Sequence, residues 1–313
     1  MVLRIGTRAS KLAMTQTEQL AEKLRQIHGI EVELVQISTE GDRSNEPLAS
    51  MGGTGVFVAA VRDAVLDGTV DLAVHSLKDL PTESHPGLLL AAVPPRQDPR
   101  DVVVARDGLT LGELPAGARV GTGSPRRVSQ LNALGLGVEP VQIRGNVDTR
   151  VGLVGAPAAD GGVDAVLLAY AGLLRLSRAE VVTEVLDPLQ MLPAPGQGAL
   201  ACECRIEDDA TAQLLAVLDD PDTRDAVTAE RTLLATLEAG CSAPVGALAE
   251  VVMGDEGDEL WLRAVVGDIS GAPSIRRSAT GSRDEAAALG ARLAAELLED
   301  GADQIMASEG VAS

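Results

Sequence analysis

Between Ala73 and Pro81 the chain crowds His75, Ser76, Lys78 and Asp79 behind an apolar run, Val70 to Val74, that reads as a short buried strand. Polar side chains gathered at the end of a buried strand are where open α/β sheets hold their ligands. A carboxylate one position from a lysine can accept hydrogen bonds from an N–H donor or hold a cation, and the lysine can meet an anion. The plainer alternative is a strand-end turn whose charges are only solvated. Spacing does not separate the two, and Asp79 is the residue on which they differ most.

A basic cluster stands out in a chain whose net charge is -20. Gly121 to Arg127 falls between an expected strand and an expected helix. Ser124 suits the N-cap there and Pro125 the first helical position. Free backbone N–H groups at such an end favour an anion, and Arg126 and Arg127 add to it. Arg144 and Arg150 follow the next strand, while Arg8 and Ser10 take the matching strand-to-helix turn of the first lobe, expected near Lys78. Surface arginines pairing with the many acids would account for any one of these. For the set, several cations at strand ends point to a ligand with several negative charges. Arginine suits bidentate carboxylate or phosphate, and the pattern alone does not choose between them.

The remaining reactive types say less. Gly52 to Gly55 lacks the Lys-Ser/Thr of a phosphate-binding loop and serves equally well as a tight turn before a helix. Phe57 reads as core. Cys202 and Cys204, two apart on a strand, share a face and read as buried thiols, and two cysteines without further ligands make no zinc site. Cys241 follows Gly240, a candidate glycine past a helix end, so it is placed on a loop at the negative end of a helix. There the thiol pKa is raised, and the residue reads as an attachment point or a plain loop cysteine rather than a nucleophile. His28, His75 and His85 supply no evident triad.

Composition narrows the classes further. Aromatics are 1% of the chain, so no surface for stacking bases is expected, and the acidic balance argues against nucleic acid and anionic membranes. No apolar run approaches the ~20 residues a bilayer demands. The N-terminus runs straight into Val2 to Ile5 without a charged-then-apolar leader, and three cysteines form no disulfide framework. A cytoplasmic chain with free thiols and no nucleic-acid or membrane partner is expected, working as a monomer.

With 313 residues, two or three domains are expected. Strands are predicted over Leu3 to Gly6, Glu31 to Ile37 and Val70 to Val74, separated by helices over 11–27 and 56–66. This βαβα order predicts a parallel sheet. Thr39 to Ser50 reads as a polar loop. After the Pro-rich punctuation at 93–99 a second α/β unit follows, with strands at 101–105, 119–121, 139–143 and 164–169. Its helices are predicted at 125–134, near 147–154 and at 171–176. A second crossing at 192–196 precedes a strand at 199–204 that has no place in the second unit and is assigned back to the first sheet. Two crossings between two α/β lobes predict a clamshell with a hinge, as in solute-binding proteins. A helix over 222–239, three alternating strands near 246–253, 259–267 and 274–280, and an Ala/Leu-rich helix that starts at Ser282 to Glu285 and runs to about 298 form a small antiparallel α+β domain. Ser282 and Glu285 are predicted as the capping box of that last helix, and Asp255 to Asp258 as a hairpin turn. The resulting domains are 1–94 with 195–214, then 98–192, then 218–313.

At these residues the chain resembles the porphobilinogen deaminase family, the hydroxymethylbilane synthases. The similarity runs through Arg4 to Ser10, Ala73 to Pro81, Asp98 to Asp101, Gly121 to Arg127, Arg144 to Arg150, Pro195 to Gly198 and Leu237 to Cys241. The resemblance implies three domains, the first two like a type II periplasmic-binding-protein clamshell. It implies a transferase of porphyrin and heme biosynthesis that joins four porphobilinogens head to tail, losing ammonia each time, before water releases a linear tetrapyrrole. It also implies a dipyrromethane cofactor held by a thioether to Cys241, with Asp79 catalytic. By the same resemblance Arg8, Ser10, Ser76, Lys78, Thr122, Ser124, Arg126, Arg127, Arg144 and Arg150 bind cofactor and substrate carboxylates, with Gln197 and Phe57 as further candidates. The chain departs from the family at Ser50 and Thr54, where lysine is frequent, and at Gly123 and Pro125, where Ser-Leu is frequent. Two fewer cations would alter handling of the lengthening chain and leave Asp79 and Cys241 untouched. The competing reading from another class is a two-lobed anion-binding protein without chemistry.

Overall fold

The computed structural model describes residues 2–38, 55–240, 243–254 and 257–310. The chain divides into two compact units, Met1–Gln97 with Gly198–Arg224 and Asp98–Gln197 with Asp225–Ser313.

In the first unit β1 (Val2–Arg8) leads to α1 (Lys11–His28), then β2 (Glu31–Ile37), α2 (Gly55–Leu66), β3 (Leu72–Ser76), a 3-10 turn over Leu77–Asp79, and β4 (Leu88–Ala92). Ser10 caps α1 by accepting from the Ala13 N–H at 3.3 Å, and Gly29 ends it in the left-handed conformation that glycine tolerates. The strand predicted over Val70 to Val74 begins two residues later. Asp71 is taken by Arg4, whose Nη2 and Nε donate to its two oxygens at 2.7 and 3.2 Å, so His75 and Ser76 lie inside the sheet rather than after it.

In the second unit β5 (Asp101–Ala105) is followed by β6 (Arg119–Thr122), α3 (Pro125–Ala133), β7 (Glu139–Gln142), α4 (Val147–Val151), β8 (Ala165–Ala169), α5 (Tyr170–Arg175) and β9 (Glu184–Val185). The chain then supplies β10 (Leu200–Arg205) and α6 (Asp209–Ala216) to the first unit. The two α/β sheets have orders β2-β1-β3-β10-β4 and β7-β6-β8-β5-β9, the same arrangement twice. The expectation of a parallel sheet holds for three strands in each, and one strand in each corrects it. β10 runs antiparallel to β3, with Leu200 opposite Ser76, and β5 antiparallel to β8, with Asp101 opposite Ala169. Both strands enter the sheet at the carboxyl end of a parallel neighbour, directly after a Pro-rich crossing, and must therefore run back along it. The return of the strand after residue 199 to the first sheet is as predicted.

The small C-terminal domain begins with α7 (Pro221–Thr236). Its sheet, β11 (Val245–Met253), β12 (Asp258–Gly267) and β13 (Ser274–Ser282), is antiparallel throughout, and α8 (Ala286–Glu299) and α9 (Ala302–Gly310) follow. Leu233, Leu237, Leu260, Leu262, Leu289 and Leu293 form its own core. Three local expectations are corrected. Ser282 makes no capping bond; it ends β13, and Arg283 in the turn that follows pairs instead with Asp225 at 2.9 Å. α7 stops at Thr236, and Glu238 rather than Gly240 takes the left-handed position beyond it, at φ 51°. β4, β9, α6 and α9 were not predicted at all. The 39–50 loop and the tip of the 255–258 turn lie outside the described residues.

Candidate active site

The first unit carries a cavity where two strands, two helices and a turn meet. Arg8 ends β1; Ser10, Leu12, Ala13 and Gln16 begin α1; Val74, His75 and Ser76 end β3; Asp79 lies in the turn beyond, and Val58 comes from α2. The turn is pinned from behind. Leu77 and Leu80 are buried, and the Leu77 N–H donates to the Ala199 carbonyl at 3.0 Å. Two buried leucines three positions apart leave Lys78 and Asp79 half-exposed, with Asp79 lining the cavity. The turn is thus a rigid mount for a carboxylate and an ammonium. Beneath it lies a buried group that joins His75 to two residues the sequence did not single out, Arg62 and Glu203. Arg62 on α2 grips Glu203 on β10 through Nε at 2.9 Å and Nη2 at 2.7 Å. Nε2 of His75 lies 3.5 Å from the same carboxylate, with no hydrogen-bond partner. Burial lowers the His75 pKa to about 4. Glu203 opposes that shift, and Arg62 and Arg8 reinforce it.

The second unit carries the arginines. Asp101, at the start of β5, is fully buried. It accepts from Nη1 of Arg126, Nη2 of Arg127 and Nε2 of Gln197, each at 2.8 Å. Arg126 also donates to the Leu192 carbonyl at 2.6 Å, Arg127 to that of Leu167 at 2.9 Å, and Gln197 to that of Pro99 at 2.7 Å. Burial raises the Asp101 pKa, and the two guanidiniums more than reverse this, holding the carboxyl well below the usual range. Arg126 and Arg127 are therefore not surface cations; both are buried and both use Asp101 as counter-charge. Ser124 occupies the N-cap of α3 without a side-chain capping bond, and its N–H donates to the buried Thr122 hydroxyl at 3.2 Å.

Arg144, Arg150 and Arg127 form a second grouping. Arg150 donates through Nε to the Gly145 carbonyl at 2.8 Å. Burial, then repulsion from Arg127 and Arg144, pulls its pKa down to about 10. An anion bound beside Arg150 would favour the charge that its two neighbours disfavour. Arg175 on α5 is buried as well, and burial alone lowers its pKa to about 10. Its place in an ordinary helical stretch gave no sequence signal. Asp101 lay inside a quoted motif and was assigned no part. Cys202 and Cys204 are buried free thiols, burial raising them to about 12 and about 11. Cys241, Ser50 and Thr54 lie outside the described residues, as does the side chain of Phe57 on α2.

Two family models match the chain. One, described as porphobilinogen deaminase, dipyromethane cofactor binding domain, covers residues 3–213; the other, the porphobilinogen deaminase C-terminal domain, covers 225–299. The chain belongs to the porphobilinogen deaminase family. Porphobilinogen deaminase 1 of Streptomyces coelicolor is 57% identical over 97% of this chain and 97% of its own length. The porphobilinogen deaminase of Mycobacterium tuberculosis is 57% identical over 97% of this chain and 98% of its own. Among solved structures, a periplasmic substrate-binding protein from Coxiella burnetii aligns at a TM-score of 0.44 and 14% identity, over 71% of this chain and 94% of that one. No helix among the described residues is long and apolar enough to cross a membrane.

Proposed function

We propose that the chain is a hydroxymethylbilane synthase, a transferase that joins four porphobilinogens head to tail, with loss of ammonia, and releases the linear tetrapyrrole by hydrolysis. The observation that carries this reading is the family match along nearly the whole chain. The alternative of a two-lobed binder without chemistry gains nothing from it. The division into residues 1–94 with 195–214, 98–192 and 218–313 belongs to the same reading, supported by the separate core of the C-terminal domain.

When bound, the dipyrromethane cofactor supplies the primer pyrrole to which the first porphobilinogen is joined. Its attachment is assigned to the Cys241 thiol. Each pyrrole bears an acetate and a propionate, and the residues present fit such a group: Arg127 and Arg144 lie close enough to Arg150 to disfavour its charge, which a ligand carboxylate there would favour. Arg126 and Arg127 owe their fixed guanidinium planes to Asp101, with Gln197 holding the same oxygen as Arg127. Thr122 and Ser124 offer short polar groups beside them. In the first unit Arg8, Ser10, Ser76 and Lys78 are assigned to carboxylates and Asp79 to the reacting ring. As ammonia leaves porphobilinogen, positive charge develops on that ring. A carboxylate on a turn locked by Leu77 and Leu80 stabilises the charge without having to reorganise. The same oxygen accepts the pyrrole N–H and receives a proton when the coupled ring loses one.

Intact-protein mass spectrometry tests the reading. Freshly purified, reconstituted protein should exceed its sequence mass by two linked pyrrole units, and Cys241→Ser should remove the excess. A bare chain mass, with no tetrapyrrole formed from porphobilinogen, would favour the binder.

A further inference from the structure

The buried trio beneath the cavity has no part in the assignments above. Arg62 lies on α2, Glu203 on β10 and His75 on β3, and all three side chains are shielded, at 12%, 6% and 5% exposure. Arg62 occupies both Glu203 oxygens, a bidentate geometry that satisfies a carboxylate fully. His75 is left 3.5 Å from one of those oxygens, too far for a hydrogen bond, while it and Asp79 line the same cavity. The interior thus holds one positive and one negative charge in balance. A proton on His75 would add a second positive charge, next to Arg62 and facing Arg8 at the end of β1.

We infer that Arg62 is a positioning residue: by holding both oxygens of Glu203 it keeps the His75 ring uncharged in the cavity that Asp79 also lines. The inference rests on the proposed function for its purpose. Positive charge appears on the substrate ring when ammonia leaves, and an imidazolium in the same cavity would oppose it and draw on the field of Asp79. Without Arg62, the Glu203 carboxylate would be buried without its bidentate partner, and His75, 3.5 Å away, stands close enough to become its counter-charge. The ion pair therefore acts by satisfying the carboxylate, which removes the reason for the ring to take a proton. The groups facing His75 are Glu203 from β10, Arg62 from α2, Arg8 from β1 and Asp79 from the following turn, and the first two are already committed to each other.

The test uses proton NMR titration of the three histidines in the full-length, cofactor-loaded protein, with the His75 signal assigned by its loss in His75→Asn. In the parent, His75 should stay neutral throughout the neutral range and titrate only near about 4. In Arg62→Leu its titration should move into the neutral range. kcat should then fall by about tenfold or more on the acid side of that new ionisation, with KM changed less. The double variant Arg62→Leu/Glu203→Leu, which removes both charges, should return His75 to neutrality and flatten the pH profile. A parent His75 that titrates at the ordinary imidazole value overturns the inference, even if Arg62→Leu does not fold. So does an Arg62→Leu protein whose His75 stays neutral, or one whose His75 charges without any change in the pH profile. The titration reads the ring whether or not the protein consumes porphobilinogen, so loss of the proposed function and loss of this inference are separate results.

Discussion

Asp79 is the side chain to which the proposed function assigns the chemistry. It sits half-exposed between two buried leucines, on a turn tied by the Leu77 N–H to Ala199. Asp79→Asn keeps the size and removes the charge. It should leave the excess mass of the cofactor in place and lower kcat by about 100-fold or more, read by single-turnover assay with porphobilinogen. An active variant would take the residue out of the mechanism. His75 gives a second, thermodynamic expectation. Its free ring titrates at 6.5 and its buried ring near about 4. Between those values the unfolded chain binds a proton that the folded chain refuses, so stability rises with pH across the window and falls on acidification. The contribution lost is on the order of 3 kcal/mol, since each pKa unit is worth about 1.4 kcal/mol. Urea unfolding at a series of pH values should show the parent losing stability more steeply between 6.5 and 4 than His75→Asn does.

Helices and strands decide what single residues can do. Arg126 and Arg127 sit in the first turn of α3, and Asp101 starts β5, so the pairing of a helix with a strand fixes both guanidiniums. From the chain alone the two arginines looked like free cations, because Asp101 is distant in sequence and its carboxylate could be placed only once β5 was known to run antiparallel. Close approach between helices is a second constraint. A Cβ on Gly290 of α8 would overlap the Ala229 carbonyl oxygen and lie 3.0 Å from the Leu233 nitrogen on α7. Helix propensity alone would favour alanine there by about 1 kcal/mol, but rigid backbone is in the way, and the clash outweighs it. Gly290→Ala should cost about 2–3 kcal/mol and lower the thermal midpoint by several degrees, measured by calorimetry. A midpoint equal to or above the parent's would show that α7 and α8 can separate at little cost.

The chain threads its first unit in two pieces, and β10 lies between β3 and β4 in the sheet. A fragment ending at Gln97 therefore lacks an inner strand, and β4 has nothing to pair with. Such a fragment should show no cooperative unfolding transition by circular dichroism. The excised piece has close ends, since the Gln97 N–H donates to the Gly198 carbonyl at 3.2 Å. Replacing residues 98–197 by a short glycine linker, in a chain ending after Arg224, should restore a cooperative transition. Failure of that linked form to fold would mean that the first unit depends on the second for its stability.

Much of this protein was legible in its residues. Alternating apolar runs and their glycine and proline punctuation set most strands and helices to within two residues. The return of the 199–204 strand to the first sheet followed from its having no partner elsewhere. Motifs of polar residues at strand ends drew attention to the cavity of the first unit and to the arginines of the second, because such residues gain nothing from burial unless they meet a partner. What the sequence could not carry was anything that depends on a distant partner. β4 reads Leu-Leu-Leu-Ala-Ala and shows no alternation, so its strand exists only through β10. The direction of β5 and β10 depends on which end of the sheet a crossing reaches. The balance of Arg62, Glu203 and His75 joins a helix and two strands up to 141 positions apart. Local propensity acts over a few residues, whereas burial and charge act through space, and tertiary packing alone decided which charges meet.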